Sequence, residues 1–415
     1  MNKTIYLHKI AIYSKLKRNI FEKLYYEKAL TCSDLGTLLG KSIPLVAKAL
    51  SELKQDGIVV IDGHADSTGG RKALLYRLKP GTSYILSVAM DQLCTTLSVM
   101  DASLNNAVYT QRFELKLLNN EESLPSLITA ITTTLERSGI PRNQFLGMGL
   151  GMPGFINIKK GINQSYVFTK NTLSLRDHLE QVFGMPVFID NDSSTIALGE
   201  SKFGIARGKT DVVVINISWG IGLGMIVDGK LFRGHAGYAG EFSHIPVSDN
   251  NILCECGKRG CLETEASLRV VAQKALRLID DGKLEHLNIA TRCVDEAAYA
   301  VMKLASRGDQ LCIELLSDMA YKIGKALAIL VHIINPELIL LSGRASEVGR
   351  LLVAPIQQAL NTYSIPRLME GVELDVSTLK YNAYSMGAAA LVVNSLSAAN
   401  PEKIKEPGRI TEAAP

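Results

Sequence analysis

The sequence contains no long uninterrupted apolar run. Stretches such as Leu327 to Ile334 are broken by His332 and fall far short of the roughly 20 residues that a membrane-spanning helix needs. A positive-then-apolar leader is also missing, because Lys15, Lys17 and Arg18 interrupt the N-terminal segment. No membrane partner is therefore expected. The cysteines form no even set: there are seven in 415 residues, three of them in one short stretch, which argues against a disulfide framework and for a reducing cytoplasm. Basic charge has no excess beyond the first fifth of the chain. Residues 1–79 hold 14 Lys+Arg against 7 Asp+Glu, or +7, and the remainder holds 31 against 34, or −3, making the net +4. That asymmetry points to an anionic partner such as DNA, with a solvated basic face as the alternative. An apolar share of 47% is ample for sizeable cores, and 415 residues suggest two or three domains.

The stretch Glu241 to Glu263 organises what is present: E-F-S-H-I-P-V, six further residues, then C-E-C-G-K-R-G-C-L-E. Cys254, Cys256 and Cys261 lie close together, with Gly257 and Gly260 inside the turn and His244 upstream. Three thiolates and one imidazole on a short loop suit a closed tetrahedral Zn²⁺ site, structural rather than hydrolytic because no ligand position stays open. Ordinary buried or unpaired cysteines are the alternative.

The N-terminal fifth predicts a helix over 9–27 with Ile12, Leu16, Ile20 and Leu24 on one face, then a short helix from an N-cap at Ser33 to Gly40. After a tight turn, Ser42 caps a third helix with Pro44 in its first turn and Val46, Leu50 and Leu53 inward; Gly57 ends it. Two strands, Ile58 to Ile61 and Ala73 to Leu78, then flank the loop D-S-T-G-G-R-K. This is the order of a winged helix-turn-helix, an α+β domain over 1–79. Lys41, Ser42, Leu45 and Lys48 would lie at the end of the third helix that enters a major groove, while Gly69, Gly70, Arg71 and Lys72 would bring the wing to the DNA backbone.

Pro80-Gly81 marks the boundary with the body. Strands are expected at 84–90, 95–100 and 107–115, a helix across 122–138, strands at 145–150 and 187–190, and a helix at 192–203. A second start repeats the opening strands at 212–217, 222–227 and 230–232, followed by long helices, 310–334 among them, and a strand at 338–342. From about 399 the chain reads as a loose polar tail.

The zinc stretch resembles the signature of the ROK family, which joins sugar-responsive repressors and sugar kinases. That signature is E-x-G-H followed by C-x-C-G-x-x-G-C-L-E; here Ser243 stands where the family has glycine, and the remaining positions match. The resemblance extends over nearly the whole chain, and the G-G-R-K wing is similar to that of the family's repressors. It implies an α/β, two-lobed actin-like ATPase body of ribonuclease-H-like lobes. The first lobe is expected at 80–203 and the second at 204–395, its C-terminal helix returning to the first, with a tail over 396–415.

The resemblance also implies a site. In the kinases a D-x-G-G-T loop holds the nucleotide phosphates; here it is Asp91-Gln92-Leu93-Cys94-Thr95, with both glycines gone. The second phosphate loop, G-T-G-x-G, is Ser218-Trp219-Gly220-Ile221-Gly222, and the nucleoside-side G-G is Ser342-Gly343. No ATP is therefore expected. The sugar side is kept: Gly154 in the G-x-P-G turn, Asn191 and Asp192 in the N-D pair, and Glu241, His244 and Glu263. Carboxylates and an amide suit hydroxyls, which both donate and accept. Asp192, a kinase's general base, would be vestigial here; capping the 192–203 helix is its alternative role. His244 would serve twice, one ring nitrogen on zinc and the other donating to a sugar hydroxyl. The implied protein is a cytoplasmic transcriptional regulator, a repressor of carbohydrate genes, binding operator DNA and a sugar or sugar-phosphate effector as a homodimer or homotetramer. A sugar kinase carrying a DNA-binding domain, and a body that binds a partner protein, are the competing classes.

Overall fold

The computed structural model describes residues 9–66, 72–117, 120–169, 172–284 and 293–398. The chain forms two compact units, residues 1–191 with 385–415, and residues 192–384. The division falls at 191/192 rather than at 203/204, so the helix Asp192–Phe203 packs on the strands Val212–Ile217 and Ile221–Val227 of the second unit.

The first unit opens with a 3-10 turn, Lys9–Ile12, and the helix Lys15–Glu27. The single helix expected over 9–27 is thus interrupted at Ser14, which leaves Ile12 66% exposed instead of on the inward face. A strand that the sequence pattern did not suggest, Ala29–Thr31, follows. Thr31, not Ser33, caps the second helix, Cys32–Leu39: its hydroxyl accepts from Asp34 N–H while the Asp34 carboxylate accepts from Thr31 N–H, a capping box. Gly40 closes that helix in the left-handed conformation, and Ser42 precedes the third helix, Ile43–Gln55, with Val46, Ala49, Leu50 and Leu53 buried. Strand Leu74–Leu78 lies between Ala29–Thr31 and Val59–His64, antiparallel to both. A three-helix, three-strand winged helix-turn-helix results.

This domain shares its compact unit with a five-stranded sheet in the order Val187–Asn191, Phe145–Met152, Tyr84–Met90, Cys94–Asp101, Asn106–Glu114. The first three strands run parallel and the last two antiparallel. Two helices cover it, Ser123–Ser138 and Leu175–Phe183; Leu124, Leu127, Ile131 and Leu135 at helical spacing, with Leu175, Leu179 and Phe183, bury against Leu86, Val88, Leu97 and Met148. The C-terminal helix, Asn382–Ala398, enters this unit from Ser385 onward. Gly149 permits its approach, because a Cβ there would stand 2.0 Å from the Ala388 carbonyl oxygen.

The second unit repeats the sheet. Its order is Lys230–Leu231, Ile221–Val227, Val212–Ile217, Leu338–Ser342, Glu373–Val376, again third, second, first, fourth, fifth in chain order. The edge strand Glu373–Val376 went unsuggested by the pattern; its alternation E-L-D-V is short and only half-buried. Two mixed sheets with the same strand order establish the actin-like, ribonuclease-H-like body after the winged domain. Among the described residues, no helix is long and apolar enough to cross a membrane.

Candidate metal and effector site

Between the 3-10 turn Phe242–His244 and the short helix Glu263–Ala266, the chain folds back through isolated bridges, Pro246 with Cys261 and Leu253 with Arg259. Gly260 has φ +74°, and a Cβ there would meet the Ser248 carbonyl oxygen at 2.2 Å, so only glycine fits. The fold-back brings one ligand atom each from His244, Cys254, Cys256 and Cys261 within 4.8 Å of one another. Cys254 Sγ lies 3.6 Å from His244 Nδ1, and Cys256 Sγ 3.6 Å from Cys261 Sγ. A tetrahedral Zn²⁺ with its usual bond lengths has edges of about 3.8 Å between sulfurs and about 3.6 Å between sulfur and nitrogen. The donor set and its spacing therefore fit a closed zinc site. Burial holds the His244 imidazole below its usual pKa, hence neutral, the form that ligates. Burial also raises the Cys254 thiol and, with the neighbouring thiols, pushes Cys261 up to about 12. A divalent cation at their centre supplies the charge that lets such thiols ionise.

The carboxylates gather in the same unit. Asp192 opens its helix: Oδ1 accepts from the Ser193 N–H at 2.8 Å and hydroxyl at 3.2 Å, and Oδ2 accepts from Asn216 Nδ2 at 3.3 Å. Glu263 Oε2 accepts from the Ile221 N–H at 3.0 Å. Glu241 directs Oε2 to within 3.8 Å of His244 Nε2. The second imidazole nitrogen thus faces a carboxylate. Burial, reinforced by the Asp192 and Glu263 carboxylates, pushes Glu241 up to about 7; burial does the same to Glu263 against the opposing Ile221 N–H. A ligand that donates hydrogen bonds without adding negative charge suits such a cluster.

Gly154 and Asn191 belong to the first unit, where Asn191 Nδ2 donates to the Gly154 carbonyl at 3.2 Å. The neighbouring Asp91 loop is closed on itself. Asp91 Oδ1 accepts from the N–H groups of Leu93, at 2.8 Å, and Cys94, at 2.9 Å. In the second unit Trp219 is buried edge-on to Tyr299, ring centroids 6.1 Å apart. The Arg344 guanidinium lies 5.2 Å from the Trp219 ring, 5.6 Å from Tyr299 and 5.5 Å from Tyr381. Its backbone N–H donates to Ser218 Oγ at 3.2 Å, joining the two segments that the family's kinases use for nucleotide.

At the winged end, Lys41, Ser42, Leu45 and Lys48 are all exposed at the start of the third helix, as is Lys72. Gly69, Gly70 and Arg71 lie outside the described residues. Ile43, 55% exposed beside Leu45, was missed; two bare aliphatic side chains at a helix N-terminus suit thymine methyl groups. Asn216, Tyr384 and Arg344 were missed too. The signal for Asn216 was available, a lone amide in the run V-V-V-I-N-I.

With this geometry in place, the comparisons with known proteins are consistent throughout. The ROK family model matches residues 95–395, and the chain belongs to the ROK family. It is 28% identical over 385 residues to the xylose repressor of Caldicellulosiruptor bescii, covering 91% of this chain and 95% of that protein. It is 33% identical to the glucokinase of Halalkalibacterium halodurans over 259 residues, covering 60% of this chain and 77% of the kinase. The crystal structure of a ROK family transcriptional regulator, a homologue of the E. coli MLC protein, superposes with a TM-score of 0.74 at 22% identity, covering 92% of this chain and 97% of that one. The similarity to the repressor thus spans the whole architecture; the similarity to the kinase covers a smaller share of the chain.

Proposed function

We propose that the protein is a cytoplasmic, sugar-responsive DNA-binding regulator, a repressor of carbohydrate genes, whose kinase-like body senses its effector without phosphorylating it. The observation that carries this reading is the carboxylate set Asp192, Glu241 and Glu263 grouped beside a zinc-organised imidazole, in a chain that also carries a winged helix-turn-helix. Carboxylates accept from vicinal hydroxyls, and three of them grouped together repel an anionic occupant, so a neutral monosaccharide is preferred to a sugar phosphate. The match to a repressor over most of the chain supports the DNA-binding role. Zinc holds the loop that carries the imidazole and is structural.

The Trp219–Arg344 stack and the self-closed Asp91 loop oppose nucleotide binding, since an indole and a guanidinium occupy the segments a kinase reserves for the phosphates and the nucleoside. A kinase reading keeps support from Asp192 and from the glucokinase similarity. Isothermal titration of D-xylose, D-glucose and N-acetyl-D-glucosamine, with and without ATP–Mg²⁺, decides between them. A regulator binds one of these sugars with ATP irrelevant; a kinase binds ATP and forms a sugar phosphate.

A further inference from the structure

Asn216 sits in the buried strand Val212–Ile217, between apolar neighbours, with its side chain engaged at both ends. Nδ2 donates to Asp192 Oδ2 at 3.3 Å and to Ser193 Oγ at 3.1 Å, and Oδ1 accepts from the Tyr384 hydroxyl at 2.8 Å. An ionised carboxylate only accepts, so the amide nitrogen must face Asp192 and the Tyr384 hydroxyl must donate to the amide oxygen. Its proton being used there, the Tyr384 oxygen accepts from Ser218 Oγ at 3.0 Å, and Ser218 accepts from the Arg344 N–H at 3.2 Å. Every donor in this buried chain points the same way, toward Asp192. Such chains are mutually polarising, so a change in the charge at one end is felt along it.

Asp192 and Tyr384 are the first and last residues of the second unit. Tyr384 also stands in the first turn of the helix Asn382–Ala398. Further along that helix, Asn394 Oδ1 accepts from the Tyr26 hydroxyl at 2.6 Å. Ser397 Oγ hydrogen-bonds Asn19 Oδ1 at 3.2 Å and also the Glu22 carboxylate. Asn19, Glu22 and Tyr26 all belong to the first helix of the winged domain, Lys15–Glu27. One helix therefore carries the phenol of the polar chain in its first turn and the contacts to the first helix of the winged domain in its last turns.

We propose that Asn216 and Tyr384 pass occupancy of the Asp192 site into the helix Asn382–Ala398 and through it to the first helix of the winged domain. This inference rests on the sugar reading above. A sugar hydroxyl that donates to Asp192 draws on the same oxygens as Asn216 Nδ2, lowers the charge that Asn216 sees and weakens its hold on Tyr384. The two states are the amide–phenol bond made and broken, and the sugar biases them by its differential affinity. Asn216 and Tyr384 are positioning residues; neither needs to touch the sugar.

Hydrogen exchange on the full chain tests this, with D-xylose, D-glucose and N-acetyl-D-glucosamine as probes. In the wild type, the sugar that binds changes amide protection at residues 241–263, 382–398 and 15–27. Tyr384→Phe keeps the ring against Tyr381, at a centroid separation of 5.1 Å, but removes the hydroxyl. This variant keeps sugar affinity within about threefold, a small effect for a lost hydrogen bond outside the binding site, and keeps the response at 241–263. It loses the response at 382–398 and 15–27. Tyr26→Phe, which removes only a hydroxyl from a buried ring of the first unit and spares the second unit, loses the response at 15–27 alone. If Tyr384→Phe retains the response at 15–27, or the wild type responds only at 241–263, the proposal is overturned while the sugar reading stands. If no probe changes exchange at 241–263 in the wild type, the sugar reading fails and the proposal with it.

Discussion

His244 and Glu241 face each other, Nε2 to Oε2 at 3.8 Å, while the other imidazole nitrogen points into the thiol cluster. The proposed metal and effector sites therefore meet at a single ring. A carboxylate behind a zinc-bound imidazole fixes its tautomer and raises its basicity. Glu241→Gln is consequently expected to weaken zinc binding about tenfold, the lower end for such outer partners, and to weaken sugar binding more strongly. Zinc competition with a chromogenic chelator and sugar calorimetry on one preparation give the two numbers. Equal zinc affinity in both proteins would remove the link between the sites.

The zinc ligands carry their own test. Cys256 is exposed, so Cys256→Ser removes a ligand and almost no packing. Zinc content by atomic spectroscopy is expected to fall well below stoichiometric, and melting to drop by about 5 °C or more, since structural metal binding is folding energy. Unchanged melting with full zinc contradicts a structural site.

Glu200 predicts a pH dependence of stability with the same sign as that of Glu241 and Glu263. It is fully buried, and its Oε1 accepts from Ser342 and Ser377. Burial raises its pKa, with the two hydroxyls opposing. The folded chain therefore holds this proton after the unfolded chain has lost it. Stability contributed by the group is present below the unfolded value, about 4.3, and is lost as pH rises through the folded one. Glu200→Gln should melt higher than wild type at pH 7 and at nearly the same temperature at pH 4. A variant that melts lower at both pH values would show that the charge is needed.

DNA binding is expected to depend on Lys48 and Arg71 as phosphate contacts. Replacing either by Ala should weaken binding on all sequences alike and reduce the slope of log affinity against log salt by about 1. Leu45→Ala, by contrast, should relax sequence preference and leave the salt slope unchanged. A slope unaltered by both charge removals would move the interface elsewhere.

The legible parts of this molecule were those set by local rules. The Cys254–Cys261 spacing and the helical spacing of Leu124, Leu127, Ile131 and Leu135 each reappear as local geometry. What stayed hidden depended on distant partners. The edge strand Glu373–Val376 exists because Leu338–Ser342 offers it a parallel neighbour, not because its four residues alternate convincingly. Thr31 outcompetes Ser33 as a cap because Asp34 can answer it, a pairing that requires the chain to have just left strand Ala29–Thr31. Tyr384 could not be tied to Asn216 from sequence, since the two are 168 residues apart. The second nitrogen of His244, expected to meet a sugar hydroxyl, lies 3.8 Å from Glu241 Oε2, so the thiol cluster and the carboxylates adjoin through one side chain that the spacing alone did not pair with Glu241.

The central claim is that a sugar alters DNA binding without being phosphorylated. The most direct measurement takes genomic fragments selected for binding to the full chain and determines their affinity with and without each monosaccharide, in the absence and presence of ATP–Mg²⁺. The account predicts that one sugar changes the affinity about 5- to 150-fold, that ATP changes nothing, and that no sugar phosphate forms. An affinity indifferent to every sugar, or a response that requires ATP and yields a sugar phosphate, would contradict it.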